Sequence, residues 1–191
     1  MRTIRAVVEY DGTEYHGFQR QPGGLPTIQS ELEEAVLRLT GQRTTVVGAG
    51  RTDAGVHALG QVISFRTGSR IPPARWAAAL NSVLPADIAV REAAEADPGF
   101  HARRRARRKV YRYHIWNRPA PSPFWHRYSL WEPHGLSLEA MRAAARHLVG
   151  RHDFSAFRAA GCPARSPVRT LHRLAVRRAG PLVVVILEAD A

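Results

Sequence analysis

The sequence predicts an α+β fold built as two related halves, and three patterns carry that prediction. Short alternating or β-branched runs are interleaved with helical stretches of 3.6-residue periodicity, so that residues 1–98 read strand, helix, strand, strand, helix, strand. Residues 99–191 repeat part of this order with a strand, an amphipathic helix and a hairpin. Cap and turn residues stand at most of the junctions.

Thr3 to Tyr10 is rich in β-branched residues and reads as a strand, ended by the turn pair Asp11 and Gly12. The following "GTEYHGFQRQPGGLP" holds too many Gly, Pro and polar residues for a regular element. Thr27 is suited to cap "IQSELEEAVLRLTG", whose Ile28, Leu32, Val36 and Leu39 share one helical face and which Gly41 closes. Val46 to Phe65 reads as strand, glycine-rich turn and strand. "IPPARWAAALNSVLP" is a second helix with Pro72 and Pro73 at its start and Pro85 past its end, and Ile88 to Glu92 returns as a strand. In the second half "KVYRYHIWN" is a strand, "SLEAMRAAARHLVG" a helix, and "RTLHRLAVRRAGPLVVVILEADA" a hairpin turning at Ala179 to Pro181. Both faces of the last strand are apolar around Val183 to Leu187, so a covering layer is expected, from a partner subunit or from a segment outside this chain.

With 45% hydrophobic and 23% charged residues, the chain has the composition of a folded domain and not of a disordered one. Its 28 basic against 16 acidic side chains leave +12, which calls for a polyanionic partner, nucleic acid before an anionic membrane. Lys109 is the only lysine, so nearly all of that charge sits on arginine, the better phosphate fork. Cys162 stands alone, which excludes an intrachain disulfide and a thiolate cluster and fits a reducing cytoplasm. No export signal and no 18-residue apolar run is present, so no membrane association is expected.

"FHARRRARRKVYRYHIWN" gathers Arg103, Arg104, Arg105, Arg107, Arg108 and Lys109 just before a strand of alternating Tyr111, Tyr113 and Ile115. That run is either a solvated basic face or an RNA-contacting surface on which phosphates meet arginine and bases meet rings. In "GRHDFSAF" the neighbours His152 and Asp153 suit loop organisation better than catalysis. The nine histidines show no ligand spacing, and neither GxxxxGK[ST] nor GxGxxG occurs, so no metal, nucleotide or other cofactor is expected. In "GAGRTDAGVHALGQVISF", Gly48, Gly50 and Gly55 let a turn approach a ligand closely and put Asp53 at its tip. Asp53 is thereby the one candidate nucleophile or base.

"GAGRTDAGVHALGQV" resembles the signature segment of the TruA family of tRNA pseudouridine synthases, with the family aspartate falling on Asp53. "VEYDGTEYHGFQRQP", "TIQSELEEAVLRLTG", "FHARRRARRKVYRYHI" and "LVGRHDFSAFRAAGC" with "SPVRT" resemble further family segments in family order, across nearly the whole chain. The resemblance implies a pseudouridine synthase fold, with ferredoxin-like or RRM-like halves, a mostly antiparallel sheet and helices on one face. It also implies cofactor-free isomerisation of uridine to pseudouridine at positions 38, 39 and 40 of the tRNA anticodon stem-loop, by a homodimer whose subunits share the tRNA. By the same resemblance Asp53 is the catalytic carboxylate, Arg51 helps extrude the target base, and Tyr111 is the active-site tyrosine, stacking on uracil or moving a proton. The family's partner arginine for this aspartate belongs to a final helix to which no residue of this chain corresponds. The alternative is a catalytically impaired tRNA-binding or chaperone protein, or a fragment of the enzyme.

Overall fold

Alternate residues of β1 (Arg2–Tyr10) turn Ile4, Ala6, Val8 and Tyr10 into one buried row, the floor of the first of two compact units. The structure is a computed structural model; it describes residues 1–158 and 166–191, and its units are Met1–Ala106 and Arg107–Ala191.

In the first unit β1 is followed by α1 (Ile28–Thr40), β2 (Val47–Gly48), β3 (Ala58–Thr67), α2 (Trp76–Asn81), β4 (Ile88–Ala96) and a single turn of helix, α3 (Ala102–Arg105). The strands lie in the order β2-β3-β1-β4, antiparallel throughout. Ile28, Leu32 and Val36 of α1, with Trp76 and Leu80 of α2, pack onto the β1 row, so both helices cover the same sheet face. Trp76 meets Phe65 edge-on, with ring centroids 5.1 Å apart.

Local chemistry fixes the ends of α1 as the sequence suggests. The Thr27 hydroxyl accepts from Ser30 N–H while the Ser30 hydroxyl accepts from Thr27 N–H, and Gly41 closes the helix in the left-handed region at φ 68°. The second helix is shorter than its sequence pattern: Pro73–Arg75 form a 3₁₀ turn, and α2 ends at Asn81. There the Asn81 amide leaves the helix to bond both backbone groups of Val90, donating to its carbonyl (2.9 Å) and accepting from its N–H (2.7 Å), beside the bulge where β4 shifts register against β1.

The first unit extends past residue 98, where the sequence changes character, because Ala102 is buried and its N–H donates to Ser64 Oγ (3.1 Å) on β3. α3 therefore belongs to the first sheet.

Glu33 is the buried charge of this unit. Its carboxylate accepts from the Arg20 guanidinium, from Gln29 Nε2 (3.0 Å) and from Val46 N–H (3.0 Å), and Arg20 N–H donates to Gln29 Oε1 (2.9 Å). This network ties the irregular 11–25 segment to α1 and to the approach to β2. Glu33→Ala leaves the Val46 N–H buried without an acceptor, and the expected loss is about 2 kcal/mol of unfolding free energy, read from the denaturant midpoint. Glu33→Gln retains a carbonyl for Val46 and should lose less.

The second unit holds β5 (Arg108–Trp116), β6 (Leu130–Trp131), α4 (Leu138–Leu148), β7 (Gly150–Asp153), β8 (Val168–Ala179) and β9 (Leu182–Asp190) in the sheet order β6-β5-β9-β8-β7. All pairs are antiparallel except β5 with β6. The β8–β9 hairpin turns where the sequence places it, with Gly180 at φ 58°. α4, capped by the Ser137 hydroxyl, lays Leu138 and Met141 over Ile115, Val176 and Val183. α4 thus supplies cover for β9 at its Val183 end, while Val184 and Ile186, whose side chains point to the opposite face, are half-buried. Asp153 organises its loop as expected, accepting from Ser155 N–H (2.7 Å) and Ser155 Oγ (2.5 Å), which hold its carboxyl below the usual range. Cys162 lies outside the described residues.

Candidate active site

The turn that carries Asp53 joins β2 to β3, and its backbone is gripped from three directions. From β3, the Gln61 amide clamps Gly50 at both ends: Gly50 N–H donates to Oε1 (3.2 Å) and Nε2 donates to the Gly50 carbonyl (2.7 Å). From the end of β1, the Tyr10 hydroxyl bonds Thr52 Oγ1 at 2.9 Å. Burial pushes the Tyr10 phenol above its ordinary pKa, against smaller lowering contributions from Thr52 and Gln61, so it stays protonated and neutral here. From the 11–18 segment, Phe18 N–H donates to the Thr52 carbonyl (2.9 Å) and the Tyr15 carbonyl accepts from Gly55 N–H (3.3 Å). Val56 N–H closes the turn on the Asp53 carbonyl at 3.1 Å, with Gly55 at φ 76°.

The 11–18 segment touches this turn backbone to backbone, which explains two of its glycines. A Cβ on Gly12 would stand 2.1 Å from the Val56 carbonyl oxygen, and one on Gly17 would stand 2.7 Å from the Thr52 carbonyl oxygen. Gly12 N–H also donates to His57 Nδ1 (3.1 Å), just past the turn.

All of these contacts reach the backbone or the side chains of Thr52 and His57. Among the described residues the side chains of Arg51 and Asp53 make no hydrogen bond or ion pair, and both are exposed. The backbone is held in place while the Asp53 carboxylate and the Arg51 guanidinium keep their hydrogen-bonding capacity, so no internal bond must break before either group engages a partner.

The remaining sequence-predicted residues are divided between the units. Arg103, Arg104 and Arg105 project from α3 of the first unit, exposed, while Arg107, Arg108 and Lys109 open the second. Arg108 is spent on a 2.7 Å ion pair with Glu188 across the β5–β9 ladder. The other five side chains have no ion-pair partner among the described residues. Tyr111 stands on β5 opposite Leu187 with 47% of its surface exposed, on the sheet face that α4 covers farther along at Ile115. The structure therefore unites Arg51 and Asp53 on one loop, and Tyr111 belongs to the other unit. Gln61, Tyr10 and Gly17, which hold the loop, are not singled out by the sequence; the one local signal is a glutamine set in a mostly apolar stretch of strand, "GQVISF".

No helix among the described residues is long and apolar enough to cross a membrane. The family model described as tRNA pseudouridine synthase matches residues 6–103 and 144–191. The tRNA pseudouridine synthase A of Moorella thermoacetica is 50% identical over 191 residues, covering 100% of this chain and 78% of the relative. That of Acetivibrio thermocellus is 44% identical over 190 residues with the same coverage, and that of Syntrophotalea carbinolica 51% identical over 169 residues, or 88% of this chain and 67% of the relative. Matched by the family model on either side of its centre and by these relatives along its length, the chain belongs to the tRNA pseudouridine synthase family.

Proposed function

We propose that this chain isomerises uridine to pseudouridine at positions 38, 39 and 40 of the tRNA anticodon stem-loop, with Asp53 as its reactive group. The observation that carries this reading is the unpaired Asp53 carboxylate on a loop whose backbone is clamped from three directions. In the reaction the C1′–N1 bond breaks, the uracil turns, C1′ bonds to C5, the C5 proton leaves and N1 holds a proton. Atoms and electrons balance without a co-reactant. An ionised carboxylate meets both needs of this sequence, as a nucleophile or stabilising anion at the electron-poor C1′ and as an acceptor for the C5 proton.

Arg51, two residues away and equally free, fills the space left by the target base, offsetting an unstacking cost of a few kcal/mol. Tyr111 stacks its exposed ring on the turned uracil. The enzyme acts in the cytoplasm as a homodimer with tRNA spanning both subunits; the apolar Val184 and Ile186, only half-buried on the β9 face opposite α4, support a covering partner subunit. Release of tritium from C5-labelled uridine in a tRNA transcript, with the modified positions located in the product, tests the reading; an intact label after incubation would refute it.

The exposed Arg103, Arg104 and Arg105 serve as phosphate contacts. Replacing all three by alanine should lower the slope of log affinity against log salt by about 2 to 3, since each neutralised phosphate contributes roughly 0.7 to 0.9. An unchanged slope would make α3 a solvated face only.

A further inference from the structure

Between β5 and α4 the second unit sends out residues 117–131, which lie between the two stretches matched by the family model and which the chemistry at Asp53 does not use. This excursion exposes large apolar groups: Phe124 is 85% accessible and Trp131 46%, and Tyr128 and Leu130 are exposed as well. We propose that it is a second RNA-contacting surface, on which unpaired bases of the bound tRNA stack. The proposal rests on the reading of tRNA as substrate and assigns a separate contact to it.

The surface is built in advance. Trp116 Nε1 donates to the Ala120 carbonyl (2.9 Å), which fixes the first residues of the excursion, and Trp131 Nε1 donates to the Arg118 carbonyl (3.0 Å), which staples its end to its start. Ser129 Oγ and Tyr128 N–H both donate to the Trp125 carbonyl, at 2.8 and 3.0 Å, and Pro119, Pro121 and Pro123 stiffen the chain between. Holding rings in place before binding removes much of the ordering cost of a contact. The polar atom of Trp131 is already satisfied by the backbone, so its exposed part offers a partner apolar contact and not a hydrogen bond.

Charge selects the partner. From Asn117 to Trp131 there is no acidic residue, whereas Arg118, His126 and Arg127 lie among the rings. A second copy of a chain carrying +12 would bring like charge to this surface; a polyanion with flat bases brings the opposite charge and the matching shape. Rings interleaved with arginine are how unpaired RNA is held. The excursion folds back against β5, where Trp125 meets His114 edge-on with ring centroids 6.2 Å apart, on the strand face opposite the one that carries Tyr111, so its bases are not the one that Tyr111 contacts.

Phe124 is the position to test, because a side chain so exposed can be changed without unfolding the unit. Affinities of Phe124→Ala, Phe124→Leu and Phe124→Trp are measured for a tRNA transcript and for an oligouridine strand over a range of salt. Phe124→Ala should bind both RNAs about tenfold more weakly with an unchanged salt slope, Phe124→Leu should be nearly as weak, and Phe124→Trp should match the parent. Parental affinity in Phe124→Ala, or full binding by Phe124→Leu, overturns the proposal. So does a fall from dimer to monomer in sedimentation of Phe124→Ala with RNA affinity per protomer unchanged, which would assign the surface to self-association. If the parent chain releases no tritium while Phe124→Ala still weakens oligouridine binding, the reading of the reaction falls and the stacking surface stands.

Discussion

Asp53→Asn should bind tRNA as tightly as the parent chain and lose turnover by about 10³-fold or more. The substitution retains size and removes only the charge and basicity of a side chain that makes no internal hydrogen bond or ion pair among the described residues. Neither stability nor loop geometry depends on that carboxylate, because the loop is held through Gly50, Thr52, Gly55 and the Asp53 carbonyl. An amide can neither attack C1′ nor accept the C5 proton, so both steps fail together. Thermal unfolding and tRNA affinity measured beside tritium release separate this outcome from a folding defect. Loss of affinity in parallel with activity would instead make Asp53 a binding residue.

The second large effect is expected at a residue with no reactive group. Gly17 sits at φ +86°, and an added Cβ would stand 2.7 Å from the Thr52 carbonyl oxygen and 3.2 Å from the Asp53 carbonyl carbon. Both obstacles are backbone, so Gly17→Ala must push the loop away while also adopting a left-handed conformation that costs about 1–2 kcal/mol. The neighbouring bond from Phe18 N–H to the Thr52 carbonyl stretches with it. A displacement approaching 1 Å at the reactive group lowers turnover by about 10²-fold. Gly24→Ala is the matched control, since Gly24 has φ +73° and no atom within 4 Å of its added Cβ. It carries the conformational strain without the collision and should retain near-parental turnover. Equal losses in both variants would trace the effect to strain in the 11–25 segment, not to contact with the Asp53 loop.

What could be read without coordinates was what local sequence controls. Thr27 with Ser30, and Gly41, mark the ends of α1 through contacts within a few residues, and the glycine spacing around Asp53 makes its turn visible. The clamp on that turn was not legible, because it joins segments distant in the chain: Tyr10 to Thr52, Phe18 to Thr52, Gln61 to Gly50. No periodicity predicts such pairings. β6 has only Leu130 and Trp131, too short for alternation to register, and α3 is a single turn capped by the His101 side chain inside what composition shows only as a run of arginines. Charge counting treats Arg103 to Lys109 as one patch, whereas burial of Ala102 against β3 assigns the first three arginines to one unit and the rest to the other. It also gives no sign that Arg108 is committed to Glu188.

The most direct measurement is a single-turnover assay with protein in excess over C5-tritiated tRNA at a concentration that saturates binding, comparing the parent chain with Asp53→Asn. Under these conditions affinity no longer limits the signal, and only the chemistry at the base is read. The expected result is complete release of label from the target uridines by the parent chain and release at least about 10³-fold slower by the variant. Release by Asp53→Asn within tenfold of the parent rate would contradict the assignment of the reactive carboxylate to Asp53.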